Sequence, residues 1–214
     1  FNDKQTEYYV LALLNTNFSQ ELLKKFNATI NLTIDDIGSI PYSLQFDRKR
    51  DVTEIVSCCI ELSKCDWNSF ETSWDFKRNP LICGSNLPAA YAAWKQECED
   101  RFRQLKKNEE ELNRIFIDIY GLQDELTPDV ADKDVTVHRV FDSKDDVPES
   151  MKGSNYVRTM RDEIVSLISY AVGCMFGRYS LDVDGLAYAG GEWDASKYKT
   201  IIPDSDNIIP ICDD

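Results

Sequence analysis

The sequence predicts a mainly α-helical fold with minor β structure (α+β), organised as a long-helix spacer with short strands and an irregular C-terminal segment. Apolar residues recur every three, four or seven positions from about residue 88 to about residue 120. A second helical pattern covers about residues 156–177, whereas residues 180–214 show no sustained period. A hydrophobic share of 43% with abundant aromatic residues indicates a folded core.

The first segment, residues 1–50, is predicted to be α/β. Helical patterns cover residues 4–14 and about 19–26, and the alternation of Thr29–Ile34 then predicts a short strand with one buried face. Asp35–Gly38 reads as a turn, and the polar, basic residues 46–50 read as a connector.

The second segment, residues 51–128, is predicted to be a helical spacer. Asp51 is in position to cap a helix over Val52–Lys64, and Pro88 suits the first turn of the long helix at about 88–120. Gly121 fits the C-cap of that helix and Pro128 closes the following turn. The apolar seam of the long helix resembles that of a coiled coil, with polar Asn108 near it; its members are Tyr91, Trp94, Cys98, Phe102, Leu105, Leu112, Ile115 and Ile119.

The third segment, residues 129–214, is predicted to be α+β. One strand is expected over Val135–Phe141, followed by the helix at about 156–177 and an irregular tail. The predicted buried stripe of that helix comprises Met160, Ile164, Leu167, Ile168, Ala171 and Met175.

Charge and cysteine usage restrict the function classes. The 38 acidic residues exceed the 24 basic ones, giving a net charge of −14, which argues against a principal role in binding the phosphates of duplex DNA. Seven cysteines with one histidine, His138, do not form a zinc-ligand pattern, so we expect reduced, mostly buried thiols of a cytoplasmic protein. No apolar run is long enough to span a membrane. No signal peptide is recognised. Because the chain lacks an initiator Met and begins almost at once with a helical pattern, we interpret it as a piece of a longer protein.

Motifs for catalysis are weak in this sequence. Asn79-Pro80 lacks the second proline and the aromatic residue of the motif with which amino-methyltransferases hold a flipped base. The acids Asp182, Asp184, Glu192 and Asp194 leave a hard-cation site open as an alternative. The aromatic residues at 67, 70, 74 and 76 favour a packed loop, with a base-stacking platform as the alternative.

Four stretches carry a resemblance to a known family: Asp66–Phe76, Glu109–Pro128, Ile168–Asp182 and Asp206–Ile211. Residues 12–15 and 28–41 carry it as well. Together they resemble the C-terminal spacer and target-recognition region of PglX-type (BREX) adenine-specific DNA methyltransferases, which are related to type IIG restriction-modification methylases. The resemblance covers most of the chain, and it implies that residues 1–50 are the end of a recognition-like segment.

What this resemblance implies is a role in N6-adenine methylation of DNA, in phage defence or restriction-modification. It places the catalytic and cofactor motifs upstream, so no catalytic residue, cofactor or metal is assigned to this chain, and S-adenosylmethionine belongs to the parent protein. Partners implied are DNA, through the full-length protein, and proteins of a defence complex, but no membrane. An acidic module that docks other subunits is the alternative function. Candidate DNA contacts are Arg48, Lys49, Arg50, Lys77, Arg78, Arg101, Arg103, Arg158 and Arg161.

Overall fold

Helices dominate the computed structural model, which describes residues 3–27, 29, 31–84 and 86–203. The α-helices are α1 Lys4–Leu14, α2 Asn17–Phe26, α3 Ile34–Gly38, α4 Phe46–Asn68, α5 Leu87–Tyr120 and α6 Met160–Met175. The strands β1 Arg139–Phe141 and β2 Val157–Thr159 form a small parallel sheet. The mainly helical fold class with minor β structure is confirmed.

The chain divides into two units, and α4 and α5 contribute residues to both. The first unit comprises residues 1–63 and 101–136, and the second comprises residues 64–100 and 137–214. The three segments drawn from the sequence remain a prediction. Within the described residues, no helix is long and apolar enough to cross a lipid bilayer.

The core of the first unit gathers side chains from α1, α2, α4 and α5 and from the segment after α3. Its members are Tyr9, Ala12, Leu13, Phe18, Ile40, Val52, Val56, Leu112, Ile115 and Phe116. Tyr9 and Phe116 have no solvent-exposed surface, and their rings meet edge to face at 5.2 Å. The amphipathic helices therefore fold to cover one face of the C-terminal half of α5.

The predicted strand Thr29–Ile34 is wrong. The described residues 29 and 31–33 form no strand, and Ile34 instead begins α3 with 88% of its surface exposed. A capping box explains the difference, because Thr33 Oγ1 accepts a hydrogen bond from the Asp36 backbone N–H and the Asp36 carboxylate accepts one from the Thr33 backbone N–H. Asn27 also donates to the Asn31 carbonyl. Such local side-chain bonds compete with sheet pairing.

The predicted connector at residues 46–50 is also wrong, since α4 begins at Phe46 and continues to Asn68. Asp51 therefore lies inside the helix rather than at its cap. Thr53 Oγ1 donates to the Lys49 carbonyl, and Arg50 pairs with Glu54 one turn later. These contacts stabilise the first turns of the helix, in which most residues are charged.

The long helix is confirmed as α5, whose 34 residues extend about 50 Å at a rise of about 1.5 Å per residue. Its apolar seam is buried from Tyr91 to Ile115, and Asn108 lies near it at 9% exposure. Gly121 ends the helix with a φ of 67°. The backbone N–H of Leu122 donates to the Ile117 carbonyl, as in a Schellman C-cap.

The second unit contains the sheet, which the sequence predicted in part. The strand expected over Val135–Phe141 is confined to Arg139–Phe141. Its partner, Val157–Thr159, occupies the first residues that were predicted to be helical. A capping box between Thr159 and Asp162 then starts α6 at Met160.

The predicted buried stripe of α6 is wrong for four of its six residues. Ile164 and Leu167 are only partly buried, Ala171 is exposed, and Met160, Ile168 and Met175 are 40%, 58% and 43% exposed. The buried residues of α6 are Glu163, Tyr170 and Cys174. The helix is rotated about its own axis relative to the prediction, so that Glu163 is buried. This burial is possible because Arg158 and Trp94 donate hydrogen bonds to the Glu163 carboxylate.

The expectation of mostly buried thiols is wrong as well. Among the described cysteines, all of which are free, Cys58, Cys65 and Cys83 are exposed, and only Cys98 and Cys174 are buried. Cys212 lies outside the described residues.

Candidate functional site: an aromatic cleft with acidic walls

A cleft of about 480 Å³ opens in the second unit. One wall is the segment from Trp67 to Pro80, which leaves the end of α4 through a series of turns, and another comes from α6 and β2. Side-chain bonds fix the turns, because Ser69 Oγ donates to the Cys65 carbonyl and Ser73 Oγ to the Asn68 side chain. The cleft therefore has a defined, non-helical wall rich in aromatic rings.

The aromatic side chains of this segment have two different roles. Phe76 is 4% exposed and packs with Tyr170 and Tyr179 in a core cluster. Trp67, on the cleft wall, is 58% exposed, and Trp74 is 93% exposed. The prediction of a packed loop therefore holds for Phe76, while Trp67 presents its ring to solvent.

His138 joins the floor of the cleft to the end of α4. Asp66, 3% exposed, accepts one hydrogen bond from the His138 backbone N–H at 3.0 Å and lies 2.7 Å from the ring nitrogen Nδ1. The ring also meets Phe70 edge to face at 4.6 Å. The histidine is thus held in one orientation by a carboxylate and an aromatic ring.

Arg158 and Glu163 form the second polar group of the cleft. Arg158 Nε donates to Glu163 Oε1, and a terminal nitrogen of Arg158 donates to Ser166 Oγ at 2.8 Å. Trp94 Nε1 donates to Glu163 Oε2 at 2.9 Å. The guanidinium also lies over the Phe70 ring, 4.6 Å from its centroid. Both charges are therefore already compensated within the protein.

Glu71 differs from these charged neighbours. Its Oε2 accepts a 3.3 Å hydrogen bond from Ser169 Oγ, and its Oε1 is buried. Burial raises the pKa of the Tyr179 hydroxyl, and the charge of Glu71 and a hydrogen bond to its carboxylate raise it further. Glu71 thus bonds to residues on the buried side of the cleft wall.

The predicted DNA contacts of the first unit are distributed over α4 and α5. Arg48 and Arg103 are exposed, whereas Arg101 is only 5% exposed. Lys49 pairs with Asp3 at 2.8 Å, which lowers the pKa of that carboxylate. Arg50 pairs with Glu54.

The remaining candidates lie in the second unit. Lys77 and Arg161 are exposed, Arg78 pairs with Asp184 at 3.1 Å, and Arg158 points into the cleft described above. Sequence reasoning placed Arg158 on a basic edge and did not identify its ion pair with Glu163, five residues away. It missed Glu71 and Glu163; the signal available was an acid inside the aromatic run and another in the first turn of α6.

Two acidic side chains of the C-terminal segment, Asp182 and Asp194, accept hydrogen bonds from nearby backbone N–H groups. Asp182 accepts hydrogen bonds from the backbone N–H groups of Thr200 and Lys199, which lower its pKa to about 2. Asp194 caps a short 3₁₀ turn. In the part of the chain that the structure describes, no group of three or more His, Cys, Asp or Glu side chains is arranged to hold a metal ion.

Comparison with known proteins identifies relatives over the whole chain. No family model matches it. It is 44% identical over 220 residues to the adenine-specific methyltransferase PglX of Lacticaseibacillus casei (strain Zhang), covering 100% of this chain and 17% of the relative. It is 32% identical over 222 residues to the adenine-specific methyltransferase BrxX of Escherichia coli O9:H4 (strain HS), covering 100% of this chain and 18% of that relative. The chain therefore spans less than a fifth of the length of these relatives.

Proposed function

We propose that this chain, which is homologous to one region of the PglX and BrxX adenine-specific methyltransferases, is a non-catalytic spacer and target-recognition region of such an enzyme. The parent protein would methylate the N6 position of adenine in DNA with S-adenosylmethionine, in phage defence or restriction-modification. The observation that carries the proposal is α5, a single helix of 34 residues with a buried seam. A helix of this length fixes distances that a flexible linker leaves variable.

The chemistry of the described side chains supports a non-catalytic role. The charged groups of the cleft bond mainly to each other, and the sequence has no Asn-Pro-Pro-aromatic motif. Calorimetric titration of the purified chain with S-adenosylmethionine should therefore give no binding heat. Saturable binding at micromolar concentration would overturn the proposal.

A chimera tests the positioning role directly. This chain replaces the corresponding region of the Lacticaseibacillus casei PglX protein, and methylation of genomic DNA is mapped. We expect methylation to require the inserted region, with loss when a four-residue deletion in the charged middle of α5 shortens the helix by about 6 Å. Full methylation by the deleted chimera would contradict a spacer role.

The nine basic candidates remain proposed DNA contacts. The exposure of each side chain decides which of them are tested first. Arg48, Lys77, Arg103 and Arg161 are exposed, so their replacement by alanine should lower the salt dependence of duplex binding, measured by fluorescence anisotropy. Each lost phosphate contact reduces the slope of log K against log salt by about 0.9. Arg114→Ala is the matched control, because Arg114 is exposed and pairs with Glu111. Unchanged slopes in all four variants would remove these residues from the interface.

A second candidate function, an acidic module that docks another protein of a defence complex, is favoured by one face of α6. Val165, Ile168, Val172 and Met175 are 57%, 58%, 42% and 43% exposed and lie within one helical stripe. Contiguous exposed apolar side chains mark interaction surfaces.

Retention of proteins from nuclease-treated lysate by the immobilised chain distinguishes this candidate. Docking predicts a protein that the wild-type chain retains and the Ile168→Glu/Val172→Glu variant loses. Arg161→Glu, on the same helix, is the control for added charge. Equal retention by the wild type and the double variant would exclude docking through this face.

A further inference from the structure

We propose that the exposed apolar stripe of α6 is covered by the chain's own terminal segment, residues 204–214, which lies outside the described residues. The stripe is the face that the docking candidate above would use, so the terminal segment would compete with a docked protein. The inference depends neither on that docking nor on the spacer role of α5.

The stripe has the spacing of a surface that packs against another element. Intervals of three, four and three residues, as in the seam of a coiled coil, separate its members Val165, Ile168, Val172 and Met175. All four side chains are at least 42% exposed. No charged residue occurs from Ile164 to Gly177. Because a solvated helix face normally carries charged residues, we expect this face to have an apolar occupant.

The described chain ends beside one end of this stripe. Gly177 comes directly after the residue that caps α6 at its C-terminal end. A Cβ atom placed on Gly177 would lie 3.1 Å from Cγ of Pro203, which is the last described residue. The residues that follow Pro203 therefore start at the C-terminal end of α6.

These residues are long enough to reach every part of the stripe. The helix rises about 18 Å from the level of Gly177 to Val165, at about 1.5 Å per residue. An extended chain spans about 3.3 Å per residue, so the residues from Asp204 to Ile211 span up to about 26 Å. Residues 204–207 are Asp, Ser, Asp and Asn, which favour turns. The extra length thus allows the chain to turn around the end of the helix before it meets the stripe.

The centre of the terminal segment matches the stripe in polarity. Its large apolar residues are Ile208, Ile209 and Ile211. Pro210 favours an extended conformation in the residue before it, and side chains two positions apart in an extended chain point to the same side. Ile209 and Ile211 together would therefore bury apolar surface against the stripe.

Charge complementarity favours the same arrangement. Asp204 and Asp206 precede the apolar residues of the segment, and the exposed Arg178 follows α6. Arg178 lies over the Tyr179 ring, 5.3 Å from its centroid, and forms no ion pair within the described residues. The two acids would thus start the segment next to an available cation. Two separate copies of the chain, each with a net charge of −14, would instead repel one another.

Thiol labelling of the complete chain tests the coverage. Ala171→Cys introduces a thiol at an exposed position that neighbours the stripe on the helix surface, and peptide mass spectrometry follows its alkylation by iodoacetamide. Adding Ile209→Ser and Ile211→Ser should raise the labelling rate about fivefold, because the stripe is then uncovered more of the time. Adding Ile202→Ser instead, at an isoleucine that is 79% exposed just before the segment, should leave the rate unchanged. Equal rates in the three proteins would overturn the proposal.

The buried thiols of the same chain are the internal control for folding. Cys98 and Cys174 are 0% and 2% exposed, and they should remain unlabelled in every variant. An increase in labelling that Cys174 shares would assign the effect to unfolding and contradict the proposal. A labelling rate that falls as the protein concentration rises would assign the stripe to a second copy of the chain, which would also overturn it.

Arg178→Ala tests the charge pair in the same assay. It should raise the labelling rate of the introduced thiol at low ionic strength but not in about 1 M salt, where the Debye length is about 3 Å. Lys152→Ala is the matched control, because Lys152 is an exposed cation of the same unit that pairs with Glu149. Equal rates for the two variants at low ionic strength would contradict the proposed arrangement. The assay needs no other protein, so its result is separate from that of the retention experiment for docking.

Discussion

Nδ1 of His138 lies 2.7 Å from Oδ2 of Asp66, and the other carboxylate oxygen accepts the backbone N–H of the same histidine at 3.0 Å. One buried side chain thus holds both the backbone and the ring of the residue that precedes β1. Seventy-two positions separate the two residues in the sequence. The contact fastens the end of α4 to the sheet within the second unit.

Asp66→Ala should lower the free energy of unfolding by about 2–4 kcal/mol, because the substitution leaves a partly buried N–H and an imidazole without their acceptor. Urea unfolding followed by circular dichroism measures the change. Asp75→Ala removes an exposed acid of the same unit and should change the value by less than about 0.5 kcal/mol. Similar losses in both variants would mean that the Asp66 contact contributes little.

Asn113 has a comparable role in the first unit. At 3% exposure, its Oδ1 accepts the Asn17 backbone N–H at 2.9 Å and its Nδ2 donates to the Pro128 carbonyl at 3.0 Å. It therefore connects α5 with the start of α2 and with the turn after the helix. The stretch Glu109–Pro128, which carried the family resemblance, contains both partners of the second bond.

Asn113→Ala should destabilise the first unit by about 2–3 kcal/mol, since two partly buried backbone groups lose their partners. Thermal and urea unfolding measure the effect. Arg114→Ala changes the adjacent residue, whose pair with Glu111 is exposed, and should cost less than about 1 kcal/mol. A milder effect for Asn113 than for Arg114 would contradict the proposed connection.

The sequence predicted the long helix, in which the regular spacing of apolar residues continues over many turns. The regular spacing of α5 and the glycine that ends it are local signals, and both appear in the structure as expected. The Thr29–Ile34 segment alternates like a strand, but no partner strand exists in the described chain to satisfy its backbone, and a capping box draws Ile34 into α3 instead. A six-residue pattern is too short to decide between these outcomes.

The candidate site could not be predicted, because its bonds join distant residues. The buried face of α6 depends on Glu163, whose carboxylate is bonded by Trp94, 69 positions away, and by Arg158. From sequence alone, an acidic residue in a helix is predicted to be solvent-exposed, because the groups that could bond to it in the interior are not known. The predicted stripe therefore faces the surface at Ile168 and Met175. For the same reason, Arg158 was predicted to be a DNA contact.

Two glycines with positive φ predict different responses to alanine. At Gly177, with a φ of 76°, an added Cβ would lie 2.7 Å from the Trp193 ring and 3.1 Å from Pro203, whereas at Gly121, with a φ of 67°, it would meet no atom within 4 Å. Both substitutions incur the left-handed backbone penalty of about 1 kcal/mol. Only Gly177→Ala adds a steric clash with the ring stacked on Tyr198.

Gly177→Ala should therefore lower the free energy of unfolding by at least about 2 kcal/mol, and Gly121→Ala by about 1 kcal/mol. Near-ultraviolet circular dichroism should also change only in the Gly177 variant, because Trp193 must move. Equal stability losses with unaltered tryptophan signals would show that the added methyl group does not clash with the Trp193 ring.

Glu109 provides a pH-dependent prediction. Burial, and then the charge of Glu110, raises the pKa of Glu109 to about 7, well above the value near 4.3 of an unfolded chain. The folded state thus binds the proton more tightly than the unfolded state. Below about pH 4 Glu109 is neutral in both states and costs nothing; as the pH rises from about 4 to about 7, its ionisation progressively destabilises the fold.

Glu109→Gln removes this carboxyl group and should make the protein about 2 kcal/mol more stable than the wild type at pH 8.5, with the difference shrinking toward zero near pH 4.5. Urea unfolding at the two pH values measures the difference between variant and wild type, so that other titrating groups cancel. Glu125→Gln, an exposed acid of the same unit, should show no such pH-dependent gain. A stability gain that is equal at both pH values would assign the effect to packing rather than to the proton.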